Sequence, residues 1–224
     1  GSGPAGLQIL RTESGSGITR RASETAGGVA GNDQSRYPSI SADGRFVAFQ
    51  SFASNLVASD GNNRADIFVK DFVDGTVELI SRNAAGNAAD DNAAALSNAA
   101  LSGDGRYVVF ASPASNMVSG NSGGVQQVYL RDRAAATMNR ISESAAGLAG
   151  ASLSDQAAIS SSGRYVAFRS FAANLVAGAT SRVFLRDRQA GTLVAVPLPQ
   201  AAAFSPPLAQ NASACRNPKV ADSG

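Results

Sequence analysis

Short apolar stretches of four to seven residues, rich in Val, Ile, Phe and Tyr, recur along most of the chain between segments of Gly, Asn, Asp and Ser. Runs of this length bounded by turn residues read as β-strands, and no segment combines a helical period with caps. The stretches themselves repeat. "SADGRFVAF" at 41–49 returns as "SGDGRYVVF" at 102–110 and "SSSGRYVAF" at 160–168, so that Arg45, Arg106 and Arg164 stand 61 and 58 residues apart. Each copy is followed by "ASNLV", "ASNMV" or "AANLV", then by "DIFVKD", "QVYLRD" or "RVFLRD", then by a turn and "TVELIS", "TMNRIS" or "TLVAVP". The Gly of each Asp-Gly-Arg or Ser-Gly-Arg turn suits the positive φ of a tight hairpin. The third copy has Ser162 where the others have Asp43 and Asp104, a change that a turn tolerates and a catalytic carboxylate does not.

Four short strands per unit at this period predict the blade of a β-propeller, an all-β fold of four-stranded antiparallel sheets. The stretch "YPSISADGRFVAFQSFASNLVASDGNNRADIFVKDFVDGTVELIS" resembles the WD40-like (PD40-type) repeat of TolB-like propellers, in the branch marked by Asn-Leu-Val and the "DIFVKD" strand. The resemblance runs over about residues 7–198. It implies a non-catalytic binding or scaffold module of the bacterial periplasm or cell exterior, presenting loops to a protein partner. No part of the chain matches TolB's additional N-terminal domain, so TolB's own partner does not carry over.

The 224 residues form one propeller domain on this reading, with full blades at 37–82, 98–143 and 156–198 and an N-terminal half blade at 7–24. The half blade corresponds to the third and fourth strands of a unit. The tail, 199–224, holds "SPPLAQNASAC" at 205–215, in which Pro206, Leu208 and Asn211 fall on Pro38, Ile40 and Asp43. In that register the tail completes the first blade and closes a four-bladed ring. Otherwise the open blade faces admit further copies of the chain, as a shared ring or a filament built by strand complementation.

Composition narrows the chemistry. The chain has no histidine and no tryptophan, 6% aromatic residues and one cysteine, Cys215. That excludes Ser-His-Asp and Cys-His catalysis, His-ligated zinc and an intrachain disulfide. Charged residues are 16% and the net charge is +2 without a cationic cluster, so nucleic acid is not an expected partner. No apolar run is long enough to span a bilayer, and the chain reads as a soluble, non-enzymatic protein. A histidine-free hydrolase or lyase would have to use a pair of carboxylates.

Residues repeated in every blade are expected to serve the blade. Asp71, Asp132 and Asp187 are placed to accept bonds from turn amides and from Arg45, Arg106 and Arg164. Asn55, Asn116 and Asn174 suit a backbone-bonding turn. Two features differ between blades and are the candidate sites. The first-blade loop "SDGNNRAD" offers Asp60, Asn62 and Asp66 as oxygen ligands for a hard cation such as Ca²⁺, or is a polar surface loop. No other cofactor is implied. The triplets beginning at Asp33, Asp91 and Asp155, with Asp90 beside the second, would ring the channel mouth and bind a cation or a basic segment, or act as hydrogen-bonded linkers. Asn211-Ala212-Ser213 matches a glycosylation acceptor pattern.

Overall fold

The computed structural model describes residues 6–93, 99–120 and 124–197, together with Asp222. Among the described residues the elements are fourteen strands. β1 (Leu10–Thr12) and β2 (Thr19–Arg21) form a two-stranded sheet. Three four-stranded antiparallel meanders follow. The first is β3 (Ser35–Ile40), β4 (Phe46–Ser51), β5 (Asp66–Asp71) and β6 (Val77–Leu79). The second is β7 (Ala100–Leu101), β8 (Tyr107–Ser112), β9 (Gln127–Asp132) and β10 (Thr137–Arg140). The third is β11 (Ser154–Ile159), β12 (Tyr165–Ser170), β13 (Val183–Asp187) and β14 (Thr192–Ala195). The proposed tail register at 205–215, with Asn211 and Cys215, lies outside the described residues.

Each sheet is held by the same central pair. Phe49 faces Phe68, Phe110 faces Tyr129 and Phe168 faces Phe184 across the second and third strands, with ring centroids 5.9, 6.1 and 5.7 Å apart. Such pairs add about 1 kcal/mol each beyond the area they bury. The core lies between sheets. Alternate residues of β4 and β5 (Ala48, Ile67, Val69) pack on Leu101, Val108 and Phe110, whereas Val47, Phe49 and Phe68 pack back on Ile9 and Ala22. A strand apolar on both faces is what a stack of blades requires, and it explains why the second and third strands read as unbroken apolar runs.

The opening motif makes the contact between blades. Gly105 has φ +72°, and a Cβ there would stand 2.1 Å from the Phe46 ring of the preceding blade. Gly163 repeats this against Tyr107 at 2.3 Å. Arg133 and Arg188 cover the outer faces of the same two rings at 4.6 and 4.0 Å while donating to the carbonyls of Gly105 and Gly163. The turns also bond one another directly, Ala42 N–H to Gly103 O and Gly103 N–H to Ser161 O, both at 2.8 Å. Glycine is therefore demanded twice at these turns, once by dihedral and once by space.

Candidate functional site

The two ends of the blades are built differently. At one end lie the hairpin turns of the first and second strands and those of the third and fourth. Here Arg45 Nε and Nη2 donate to both Asp71 oxygens at 2.7–3.1 Å, and the Val73 and Asp74 amides complete the carboxylate's shell. Arg106–Asp132 and Arg164–Asp187 repeat the arrangement. Burial works against the Asp71 anion, but the Arg45 guanidinium and the turn amides more than offset it and bring its pKa to about 2. The Arg164 guanidinium likewise lowers Asp187 to about 2.

At the other end lie the loops between second and third strands and the connectors between blades. Each connector is a small hairpin whose sequence repeats: "SETAGGVAG" at 23–31, "SRNAAGNAA" at 81–89 and "SESAAGLAG" at 142–150. Single bridges Glu24–Ala30, Arg82–Ala88 and Glu143–Ala149 close them. The Asn of each Asn-Leu-Val block holds the connector rather than a local turn. Asn55, Asn116 and Asn174 donate through Nδ2 to Ala30, Ala88 and Ala149 carbonyls at 2.8–2.9 Å and accept from the Asn32, Asp90 and Ala151 amides at 2.8–3.1 Å. Asn116→Ala removes both bonds and is expected to cost about 2 kcal/mol, with protease cleavage in the 81–92 connector rising accordingly in a limited-digestion assay.

Of Asp60, Asn62 and Asp66, the structure bonds the last two side chains to each other, in a closed arrangement. Asn62 Nδ2 donates to Asp66 Oδ2 at 2.7 Å and to Ala89 O at 2.9 Å, while its Oδ1 accepts the Arg64 amide at 2.8 Å. Ser81 Oγ donates to Asp66 Oδ1 at 2.5 Å. The neighbouring blades explain the cluster. There Gln8 and Gln127 occupy the position of Asp66, accept from Ser23 and Ser142, and reach the Gly31 and Gly150 carbonyls through Nε2. Aspartate has no such donor, and Asn62 supplies it. Burial raises the Asp66 pKa to about 6, Ser81 and Asn62 partly restrain it, and the nearby Asp60 adds to the rise. Burial also raises Asp60, against one amide bond from Asn62. Among the described residues, no three carboxylate, cysteine or histidine side chains converge as a metal-binding group.

The acidic linker residues separate into different roles. Asp33 and Asp91 accept from the next amide in the chain at 2.6 and 2.7 Å, and Arg64 Nη1 lies 3.9 Å from Asp91. Asp90 accepts the Ser115 amide at 2.7 Å and the Ser115 hydroxyl, so it pins the loop after β8. Asp155 departs from the expected triplet. Ser154, not Ala157, is the counterpart of Ser35, because both make the same serine–serine bond across the first two strands at 2.8–2.9 Å. Asp155 therefore sits inside β11, fully buried, with Arg169 Nε and Nη2 on its two oxygens at 2.8 and 2.6 Å. It does not join Asp33 and Asp91 in a ring.

At the connector end, exposed apolar groups recur at equivalent positions of the blades. The tips of the first and third connectors present Val29 and Leu148, 61% and 63% exposed, at equivalent positions. Phe52 and Phe171, again equivalent, are each 39% exposed just after β4 and β12, and Arg169 and Arg182 flank the Phe171 ring at 5.2 and 4.3 Å. Sequence reading missed the connectors, although their nine-residue repeat carried the signal. A recess of about 440 Å³ between the second and third blades is lined by Arg140, Glu143, Arg186 and Arg188. Its most buried groups are committed to the backbone, Arg140 to Gly120 and Gly147 and Arg186 to Ile141 and Glu143.

The structure is similar to the crystal structure of TolB from Acinetobacter baumannii, with a TM-score of 0.51 at 17% identity over 86% of this chain and 38% of that one. The fold is a TolB-like β-propeller. The chain also matches a protein described as a TolB from Agrobacterium tumefaciens (TM-score 0.49, 14% identity, 85% of this chain and 55% of that one). A third match is the propeller domain of the trilobed protease from Pyrococcus furiosus (0.43, 11%, 71% and 40%). The propeller described here thus spans well under two thirds of these relatives. No protein-family model matches the sequence, and no curated protein matches it.

Proposed function

We propose that this propeller is a non-catalytic binding module of the bacterial periplasm or cell exterior that meets a protein partner through its connector face. The observation that carries the reading is the recurrence of solvent-exposed apolar side chains, Val29 with Leu148 and Phe52 with Phe171, at equivalent positions on that one end. Elsewhere polar groups at the turns are spent on internal bonds, as in the three Arg–Asp pairs. An exposed apolar set rimmed by Arg fits the composition of a protein-binding patch. The TolB-like repeat supports the location and the scaffold role by resemblance.

A photo-crosslinking side chain placed at Leu148 in the producing cell tests this, with Val73, 71% exposed at the opposite end, as the control position. A discrete crosslinked species from position 148 that is absent from position 73 is the expected result. Equal labelling from both positions, or none from 148, overturns the assignment of the face.

A further inference from the structure

One position of the blade repeat carries a cation that reaches back to the preceding connector. Lys70, Arg131 and Arg186 stand immediately before Asp71, Asp132 and Asp187 at the ends of the third strands. In the first blade Lys70 Nζ donates to the Thr25 and Gly75 carbonyls at 3.4 and 3.0 Å and lies 3.4 Å from the Glu24 carboxylate. In the third blade Arg186 Nη2 donates to the Ile141 carbonyl at 3.1 Å and to that of Glu143, whose carboxylate favours the Arg186 charge. Both cations are thus met by an acidic residue at the second position of the nine-residue connector.

The second blade breaks the pattern. Its connector carries Arg82 where the others carry Glu24 and Glu143. Arg131 is 2% exposed, and its Nε and Nη1 are buried with no hydrogen-bond partner among the described residues. Arg82 Nε is buried and unpartnered in the same way. The nearby carboxylates are already engaged. Glu78 accepts from Arg133 Nε at 2.8 Å and stands 3.5 Å from Arg82 Nη2, while Asp132 holds Arg106 through both oxygens. Burial first, and then the Arg82 charge, push the Arg131 pKa below the ordinary guanidinium value against the pull of Glu78 and Asp132. A guanidinium withdrawn from water without a partner is strongly unfavourable, and a second one beside it adds repulsion.

We propose that a tetrahedral oxyanion from solution, phosphate or sulfate, binds between Arg82 and Arg131 and takes the place of the carboxylate that Glu24 and Glu143 supply in the other connectors. Guanidinium forks match such oxygens in geometry as well as charge, and a tetrahedral ion presents oxygens to two forks at once. Arg82, with its side chain 31% exposed, is the outer wall of the site and the group that turns to admit the ion. The site lies between the first and second blades and is independent of any partner at the exposed connector tips.

The test titrates the full chain with inorganic phosphate at constant ionic strength, read by calorimetry. The wild type is expected to show a single saturable site. Arg82→Glu installs the carboxylate of the other two connectors and is expected to weaken phosphate binding about tenfold or more, while raising the urea midpoint measured without phosphate. Arg131→Met, which replaces the buried charge by an apolar chain, is expected to weaken binding to a similar extent. Added phosphate should raise the wild-type midpoint and leave that of Arg82→Glu in place, which separates occupancy of the site from the general action of the salt. Absence of phosphate binding by the wild type, or equal binding by wild type and Arg82→Glu, overturns the inference. A urea midpoint for Arg82→Glu below that of the wild type in phosphate-free buffer overturns it as well.

Discussion

Gly105→Ala is expected to lower unfolding stability by about 3 kcal/mol, read as a drop in urea midpoint at constant slope. Two costs combine at this site. An alanine held at φ +72° loses about 1 kcal/mol or more, and its Cβ would overlap the Phe46 ring, which stands 2.1 Å from the position it would take. The ring has little room to retreat, because Arg45 and Arg133 flank it at 4.8 and 4.6 Å. Gly44 is the internal control. It shares the dihedral at φ +73°, but its nearest neighbour is the Arg11 side chain at 3.5 Å, so Gly44→Ala should cost only about 1 kcal/mol. Phe46→Leu, introduced into Gly105→Ala, should recover part of the difference if the clash is the cause. Equal losses at 44 and 105 would show that the dihedral alone matters and that the blades are not locked through this ring.

Asp66→Gln is expected to stabilise the protein by about 2 kcal/mol above pH 7 and to remove a pH dependence on the acid side. In the folded chain Asp66 titrates near 6 against an ordinary 3.8, because it is buried. The folded state therefore holds the proton more tightly than the unfolded state, and stability falls as pH rises between those two values, by up to about 3 kcal/mol. Asp71 and Asp187 have the opposite sign. Their folded pKa values lie near 2, so their contribution is present above pH 4 and is lost as pH falls toward 2. The wild type should thus be most stable near pH 4, declining on either side. Glutamine at 66 reproduces the Gln8 and Gln127 arrangement and removes the share of the decline above pH 4 that belongs to Asp66, leaving the share of Asp60, which burial also raises. Thermal midpoints measured from pH 3 to pH 8 decide the matter, and a wild-type profile flat between 4 and 6 would contradict the buried-carboxylate account.

The strand plan was readable because each blade's second and third strands must be apolar on both faces, which leaves a strong pattern in the residues. The Arg45–Asp71 pairing was readable for a related reason: two charges repeated in all three copies, 26 residues apart in two and 23 in the third, where the loop between them is shorter, have few partners other than each other. Asp155 misled because one three-residue word was matched without regard to strand phase. The structural anchor is the Ser35–Ser51 and Ser154–Ser170 bonds, which are side-chain contacts sixteen residues apart and invisible to a local match. The loop with Asp60, Asn62 and Asp66 resembled a cation site because oxygen ligands and hydrogen-bond partners are the same residue types. Only Gln8 and Gln127 at the equivalent place reveal that Asp66 and Asn62 together do the work of one glutamine.

The bonds between neighbouring turns, Ala42 to Gly103 and Gly103 to Ser161, have a direction: the amide always belongs to the earlier blade and the carbonyl to the later. A row of units linked in this way is polar, like a filament with unlike ends. One end offers an acceptor and the other a donor, so two such rows can join only head to tail. Any union through these turns, whether it closes the row on itself or extends it with another chain, must therefore keep every blade running in the same sense, and face-to-face dimers with twofold symmetry are ruled out along this seam.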